Sequence, residues 1–160
     1  MGLAMRIIVT GTQGQLARAL MECATAHGAE VVAVGRPDLD LANPASIERA
    51  MRAADGEIIV NAAAYTAVDK AESEEPLAHA VNAIGAGHVA RAAALRGLPI
   101  IHLSTDYVFD GALLRPYRED DATGPIGAYG RTKLAGERAV VEANPLHVIL
   151  RTAWVYSPFG

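Results

Sequence analysis

Tyr129 and Lys133 are the residues whose types and spacing most directly suggest chemistry. A helix is predicted over residues 127–142, which would place the two side chains four residues apart on one face. A lysine ammonium close to a phenol favours the phenolate, so Lys133 is expected to lower the pKa of Tyr129 toward the working range of a general acid. Thr105, at the predicted end of a strand, would polarise the same carbonyl oxygen. The spacing alone also fits a solvated lysine beside a half-buried tyrosine.

The elements that must position these residues alternate between strand and helix. Short apolar runs predict strands, and longer segments with helical spacing predict the helices between them. This alternation indicates βαβ units and therefore an α/β fold with a doubly wound parallel sheet, which is Rossmann-like. A loop as long as residues 106–126 is usually functional in a compact domain. The predicted strands are residues 6–10, 30–34, 57–61, 99–104 and 148–153, and the predicted helices are residues 15–27, 44–54, 74–96 and 127–142.

Composition limits the classes of partner and compartment. The net charge is −4 and no cluster of lysine and arginine occurs, which argues against nucleic acid and against a membrane surface. Cys23 is the only cysteine, so no intrachain disulfide can form and a reducing cytoplasm is the expected location. No signal peptide and no bilayer-spanning apolar run are predicted. Residues 1–4 are predicted to be a short leader before the first strand.

The turn after the first predicted strand has the composition of a dinucleotide site. Glycines at positions 11 and 14 would let the backbone approach a pyrophosphate, and the N-terminus of the next helix offers free N–H groups. Ala17 is small enough for the position that packs on the sheet. Two glycines in a loop are by themselves also typical of an ordinary turn. The predicted cofactor contacts in this turn are Gly11, Gln13, Gly14, Gln15 and Leu16.

The residues after the second predicted strand bear on the choice of cofactor. NAD sites commonly place an acidic residue there, on the ribose 2′-hydroxyl, but this chain has Arg36. An arginine could pair with a 2′-phosphate, so NADPH is the predicted cofactor, with NADH as the alternative. A solvated loop arginine is the other interpretation. Asp40 and Leu41 follow near the expected position of the adenine.

Five motifs occur in one order along the chain: Gly-x-x-Gly-Gln-Leu from residue 11, Asn-Ala-Ala-Ala-Tyr-Thr-Ala-Val-Asp-Lys-Ala-Glu from residue 61, Ser-Thr-Asp-Tyr-Val-Phe-Asp-Gly from residue 104, Tyr-Gly-x-x-Lys-Leu-x-Gly-Glu from residue 129 and Arg-Thr-x-Trp-Val-Tyr from residue 151. Together they closely resemble the dTDP-4-dehydrorhamnose reductases of the extended short-chain dehydrogenase/reductase superfamily. The resemblance covers nearly the whole chain. It implies an oxidoreductase that uses NADPH or NADH to reduce the C4 ketone of dTDP-6-deoxy-L-lyxo-4-hexulose, giving dTDP-L-rhamnose for cell-surface polysaccharide.

The resemblance also implies roles for individual residues. Tyr129 matches the proton donor, Lys133 the group that lowers its pKa and binds the nicotinamide ribose, and Thr105 the hydroxyl that orients the ketone. Small residues after the third strand match positions that line the cofactor, and a further set matches positions that contact the sugar, with the tryptophan packed on the hexose ring. The implied cofactor contacts are Ala62, Ala63 and Thr66, and the implied sugar contacts are Val68, Asp106, Tyr107 and Trp154.

Other polar residues are given structural interpretations. The histidines lack the spacing of metal ligands, and His102 is expected to be a satisfied core residue. Residues 72–75 are expected to be the acidic N-terminus of a helix. Some reductases of the resembling family hold a metal partly through a glutamate soon after the glycine turn. Arg18 and Ala19 stand at that place here, so no metal is predicted.

Members of the resembling family are nearly twice as long as these 160 residues. The resemblance therefore implies that residues 1–160 form the NAD(P)-binding Rossmann domain with the catalytic Thr, Tyr and Lys, truncated before a C-terminal substrate domain that is absent from this sequence. Reduced turnover and an open sheet edge that favours a homodimer would follow. Two alternatives stay open: another nucleotide-sugar reductase, epimerase or dehydratase, and a non-catalytic regulatory subunit that binds NADP.

Overall fold

The fold is built on one parallel sheet, which the computed structural model shows within the residues it describes, 4–159. The strand order is β2-β1-β3-β4-β5, as expected for a doubly wound sheet, so the predicted fold class is confirmed. The leader predicted over residues 1–4 lies almost wholly outside the described residues. The strands are β1 Met5–Thr10, β2 Ala29–Val34, β3 Ile58–Asn61, β4 Ile100–Thr105 and β5 His147–Thr152.

Helices follow the strands, and two of them differ from prediction. The helix predicted over residues 15–27 is α-helical only to Cys23 and continues as a 3-10 turn, Thr25–His27, before Gly28 with φ 68°. The helix predicted over residues 74–96 contains a π-helical segment, Ala80–Gly85, and a separate short helix precedes it. The helices are α1 Gln15–Cys23, α2 Pro44–Ala53, α3 Val68–Ala71, α4 Glu75–His79, α5 Ala86–Leu95 and α6 Ala128–Ala143.

Close backbone packing at the π-helical segment explains why its local geometry escaped sequence-based prediction. A Cβ added at Gly136 of α6 would lie 2.0 Å from the Asn82 carbonyl oxygen, and one at Gly85 would lie 2.4 Å from the Leu41 carbonyl oxygen. The segment is thus pressed between α6 and the loop after β2. Contacts between residues so distant in sequence leave no local periodicity, and π-helical turns are frequent near functional sites.

Both faces of the central strands are covered, which explains their apolar sequences without polar alternation. One face packs Ile8, Ile59 and Ile100 against α2 and α5, and the other packs Val9 and Val60 against α1. At the sheet edge, β5 leaves Val148 and Leu150 about half exposed.

Register brings the carboxyl ends of the strands together at one edge. Thr10 pairs with Asn61, Asn61 with His102, and Thr105 with Thr152. Ligands of open α/β sheets bind outside these strand ends, so the candidate site is expected there.

Candidate active site

A cleft of about 980 Å³ runs along the carboxyl ends of the strands. Every residue that the sequence predicted as catalytic, cofactor-binding or sugar-binding lines this one cleft. These residues are Gly11, Gln13, Gly14, Gln15, Leu16, Arg36, Asp40, Leu41, Ala62, Ala63, Thr66, Val68, Thr105, Asp106, Tyr107, Tyr129, Lys133 and Trp154. Their proximity follows from the topology, and the role of each remains a prediction.

The glycine turn forms the end of the cleft between β1 and α1. Gly11 has φ 95°, a conformation that side-chain-bearing residues rarely adopt, and its N–H donates to the Val34 carbonyl at 2.7 Å. A Cβ at Gly14 would meet no atom within 4 Å, so the space above this residue is open. Ala17 is fully buried where α1 packs on the sheet. The turn therefore has the open backbone and the free helix N-terminus that suit a pyrophosphate.

A buried polar network fixes the strand ends beneath the cleft. The Thr10 hydroxyl donates to Asn61 Oδ1 at 2.7 Å and accepts the N–H groups of Ala62 and Ala63 at 3.1 Å each. Asn61 Nδ2 in turn contacts His102 Nδ1 at 2.9 Å. An amide NH₂ group only donates, so Nδ1 accepts and the proton of neutral His102 is on Nε2. Sequence reasoning missed Asn61 and Thr10, because their partners are more than forty residues away in β3 and β4.

His102 is a core histidine as predicted, but only one of its ring nitrogens is satisfied. Its side chain is 1% exposed, and Nε2 has no hydrogen-bond partner within residues 4–159. Burial lowers the pKa of His102 to about 3, and the positive charge of Lys133 acts in the same direction. His102 is therefore neutral at physiological pH.

Thr105, Tyr129 and Lys133 meet where β4 ends against α6. The Thr105 hydroxyl donates to Asp106 Oδ1 at 3.0 Å and accepts the Tyr107 N–H at 3.2 Å. The rings of Tyr107 and Tyr129 pack edge to face with their centres 5.6 Å apart. Lys133 is 3% exposed, and its ammonium group donates to the Leu103 carbonyl at 2.6 Å. A hydroxyl, a phenol and an ammonium thus share one part of the cleft.

The expected net lowering of the Tyr129 pKa is wrong for this structure. Burial raises the pKa of Tyr129 above its usual value, a hydrogen bond with Thr105 opposes the rise, and the charge of Asp106 adds to it. The ammonium group of Lys133 instead turns to the Leu103 carbonyl. Burial lowers the pKa of Lys133 to about 8, and Glu137 acts against that change. At neutral pH the phenol is protonated and the lysine is mostly charged.

Two residues that sequence reasoning did not assign to the site hold α6 in place. Glu72 Oε1 accepts the N–H of Ala128, directly before Tyr129, at 2.7 Å. The carboxamide of Asn82 accepts the Tyr65 N–H at 2.8 Å and donates to the Tyr65 carbonyl at 3.1 Å and to the Thr132 hydroxyl at 3.2 Å. The expectation that residues 72–75 are an acidic helix N-terminus holds for Glu74, the N-cap residue of α4, and for Glu75 in its first turn. Glu72 instead caps the distant helix α6.

The two ends of the cleft carry exposed side chains. Arg36 is exposed and forms no ion pair with any described residue, so its guanidinium is available at the cleft. Trp154 has φ 52° and is 91% exposed, so most of its apolar face is open.

Between residues 4 and 159, no three histidine, cysteine or carboxylate side chains are grouped as a metal site would require. No helix in that part of the chain is long and apolar enough to cross a membrane.

The sheet order defines the class, a Rossmann-like α/β protein. A solved structure of a short-chain dehydrogenase/reductase superfamily protein from Agrobacterium tumefaciens with bound NAD has a TM-score of 0.78 and 25% identity over 91% of this chain and 48% of that one. The family model described as RmlD substrate binding domain matches residues 5–160, and the chain belongs to that family.

Individual relatives agree with this membership. A dTDP-4-dehydrorhamnose reductase of Sinorhizobium fredii is 56% identical over 98% of this chain and 52% of its own length. The crystal structure of such a reductase from Clostridium acetobutylicum has a TM-score of 0.91 and 41% identity over 96% of this chain and 55% of that one. That of the Bacillus anthracis enzyme in complex with NADP has a TM-score of 0.92 and 38% identity, over 98% of this chain and 56% of that one. The chain spans about half the length of the curated relatives it matches.

Proposed function

We propose that this chain carries the cofactor-binding and proton-transfer portion of an NADPH-dependent reductase of dTDP-6-deoxy-L-lyxo-4-hexulose, whose product is dTDP-L-rhamnose. The observation that carries the proposal is the single cleft that joins the glycine turn and Arg36 to Thr105, Tyr129 and Lys133. The names of the relatives support the substrate, and the Bacillus anthracis complex with NADP supports the cofactor. Those relatives are about twice as long as this chain. The activity is therefore proposed for the longest form of the protein that can be prepared, with any residues that follow position 160, and this is called the longest obtainable form.

The cofactor side of the cleft would hold a phosphorylated dinucleotide. The open turn at Gly11 and Gly14 and the N-terminus of α1 would bind the pyrophosphate through backbone N–H groups. The exposed Arg36 would pair with a 2′-phosphate, which distinguishes NADPH from NADH. The small side chains of Ala62 and Ala63 leave room for the cofactor next to β3.

The reduction needs a hydride at C4 and a proton on the C4 oxygen. Bound NADPH would supply the hydride. Tyr129 would donate its phenolic proton to the oxygen as the carbonyl bond becomes a C–O single bond, and burial keeps that phenol protonated beforehand because it raises the pKa. Thr105 would turn its hydroxyl proton from Asp106 to the same oxygen and so orient it. Lys133 has three N–H donors and uses one on Leu103, so the others can bind the cofactor ribose and stabilise the phenolate that forms.

The sugar side of the cleft belongs to the same proposal. The exposed face of Trp154 would pack on the C–H-rich side of the deoxysugar, and Val68, Asp106 and Tyr107 would contact its other edges.

A cytoplasmic location fits a chain with one cysteine. Val148 and Leu150 on β5 are about half exposed and form an apolar surface that would support a homodimer, which size-exclusion chromatography measures.

Loss of nicotinamide absorbance tests the reaction directly. NADPH and the 4-keto sugar are mixed with the longest obtainable form of the chain, and Tyr129→Phe is the matched variant because it removes only the phenolic oxygen. Rapid oxidation that this variant reduces by at least about a hundredfold supports the reductase and its proton donor. No oxidation although NADPH binds would refute the reductase and favour the regulatory subunit. NAD retained through purification would favour an epimerase or dehydratase.

Arg36→Ala separates the cofactor assignment from the chemistry. Loss of a charged partner for the 2′-phosphate should weaken NADPH binding by about tenfold or more and leave NADH binding within about twofold. Fluorescence titration of both cofactors measures this without turnover. Equal weakening of both cofactors would contradict the assignment of Arg36 to the 2′-phosphate.

A further inference from the structure

Glu137 is a buried carboxylate on α6 that the proposed reaction does not use. It lies one helical turn after Lys133 and is only 5% exposed. Its Oε1 accepts hydrogen bonds from the Ser104 hydroxyl at 2.5 Å and from Arg151 Nε at 3.0 Å, and its Oε2 accepts one from Arg151 Nη2 at 2.8 Å. A buried charge needs such partners, so the carboxylate is held in one orientation.

The partners of Glu137 belong to the other elements of the cleft. Ser104 directly precedes Thr105 at the end of β4, and Arg151 lies in β5 just before the cleft residues Thr152 and Ala153. Arg151 also donates to the carbonyl of Glu119 at 3.2 Å, in the long loop after β4. One carboxylate therefore joins α6 to the end of β4, to β5 and, through Arg151, to that loop.

The same carboxylate belongs to the residue one helical turn after the buried Lys133. Residues four apart on a helix are neighbours, and the negative charge of Glu137 raises the pKa of Lys133 against the effect of burial. The other titratable groups around Lys133 are His102 on β4, which is neutral, and Tyr129 on α6, which is protonated. Arg151 on β5 brings a positive charge, but it is bound to Glu137.

We propose that Glu137 is a positioning residue for Lys133: it ties the lysine-bearing helix to the ends of β4 and β5 through Ser104 and Arg151, and it holds a negative charge one helical turn from the lysine. Its importance for turnover rests on the proposed function. Its charge coupling to Lys133 is independent of any reaction and can be measured without substrate.

Nuclear magnetic resonance of lysine labelled at Cε measures the charge coupling on this chain. The sequence has two lysines, Lys70 and Lys133, so Lys70 is an internal reference. Glu137→Gln keeps the size of the side chain but removes its charge, and it should move the titration midpoint of Lys133 to lower pH by about half a unit or more. Glu142→Gln, on the exposed face of the same helix, should leave that midpoint unchanged. An unchanged Lys133 midpoint in folded Glu137→Gln would overturn the proposal.

Arg151→Gln is a second variant with the opposite expectation. It removes the positive charge that is bound to Glu137 and leaves the Glu137 carboxylate, so the midpoint of Lys133 should move to higher pH. A shift to lower pH, or none, contradicts the coupling even where Glu137→Gln does not fold. Thermal unfolding monitored by circular dichroism identifies the variants that are folded.

Steady-state kinetics of Glu137→Gln and Glu142→Gln in the longest obtainable form of the protein test whether Glu137 positions Lys133. Glu137→Gln should reduce kcat by about tenfold or more with the KM for the sugar nearly unchanged, because a misplaced Lys133 affects the reacting geometry. Glu142→Gln should match the unsubstituted protein. A kcat for Glu137→Gln within about twofold of that value would overturn the positioning role. If the unsubstituted form does not oxidise NADPH, the reductase proposal fails, while the lysine titration still decides the coupling.

Discussion

Acid should destabilise this protein through His102 before most carboxylates titrate. Burial holds the pKa of His102 at about 3 in the folded chain, whereas an unfolded histidine titrates near 6.5. Between these values the unfolded state binds one more proton than the folded state, so the free energy of unfolding falls as the pH falls. This destabilisation is absent well above pH 6.5, where His102 is neutral in both states, and it is complete near pH 3.

The size of the effect follows from the two pKa values. The full difference between the two pKa values corresponds to about 5 kcal/mol in the free energy of unfolding. Lowering the pH from 7.5 to 5.0 should reduce the free energy of unfolding by about 2 kcal/mol through this histidine. His102→Gln removes the titration, and its amide oxygen can still accept the hydrogen bond from Asn61. Its stability should therefore depend less on pH over the same range.

Urea unfolding at pH 7.5 and 5.0 measures the prediction. The unsubstituted chain should lose about 2 kcal/mol more than His102→Gln between the two pH values. His27→Gln is the matched control, because His27 is exposed at the end of a 3-10 turn and its variant should keep the full pH dependence. If the unsubstituted chain and His102→Gln lose the same amount, the burial argument for His102 is refuted.

Two further predictions concern the placement of Tyr129 and Lys133. Gly130→Ala would put a Cβ 2.2 Å from the Tyr107 carbonyl oxygen, so we expect a loss of about 1 to 3 kcal/mol in unfolding free energy, and an unchanged melting temperature would argue against this packing. Glu72→Ala removes the cap on the Ala128 N–H and should reduce stability by about 1 kcal/mol and kcat several-fold. Glu75→Ala, which removes only an exposed ion pair with Arg131, should change kcat little; equal effects of the two variants on kcat would contradict the capping role.

The strands, the glycine turn and the candidate site were predictable from the sequence because each depends on local signals. Buried parallel strands are short apolar runs, Gly11 marks a turn that needs positive φ, and the four-residue spacing of Tyr129 and Lys133 places both on one helix face. Strand order then brings the loops after β1, β3 and β4 to one edge. Residues chosen from separate motifs therefore line one cleft.

Tertiary contacts decided what these signals left open. The π-helical segment before α5, the Glu72 cap on α6 and the network around Glu137 depend on partners many residues away, so no local pattern predicts them. The protonation of the site is decided in the same way. Sequence spacing predicted an ammonium group that lowers the pKa of the phenol. In the folded chain Lys133 donates to the Leu103 carbonyl, and burial raises the pKa of Tyr129 and lowers that of Lys133 to about 8. The sequence by itself determined which groups share the cleft, and only the folded chain, by removing water from around them, decided which of them carry a proton.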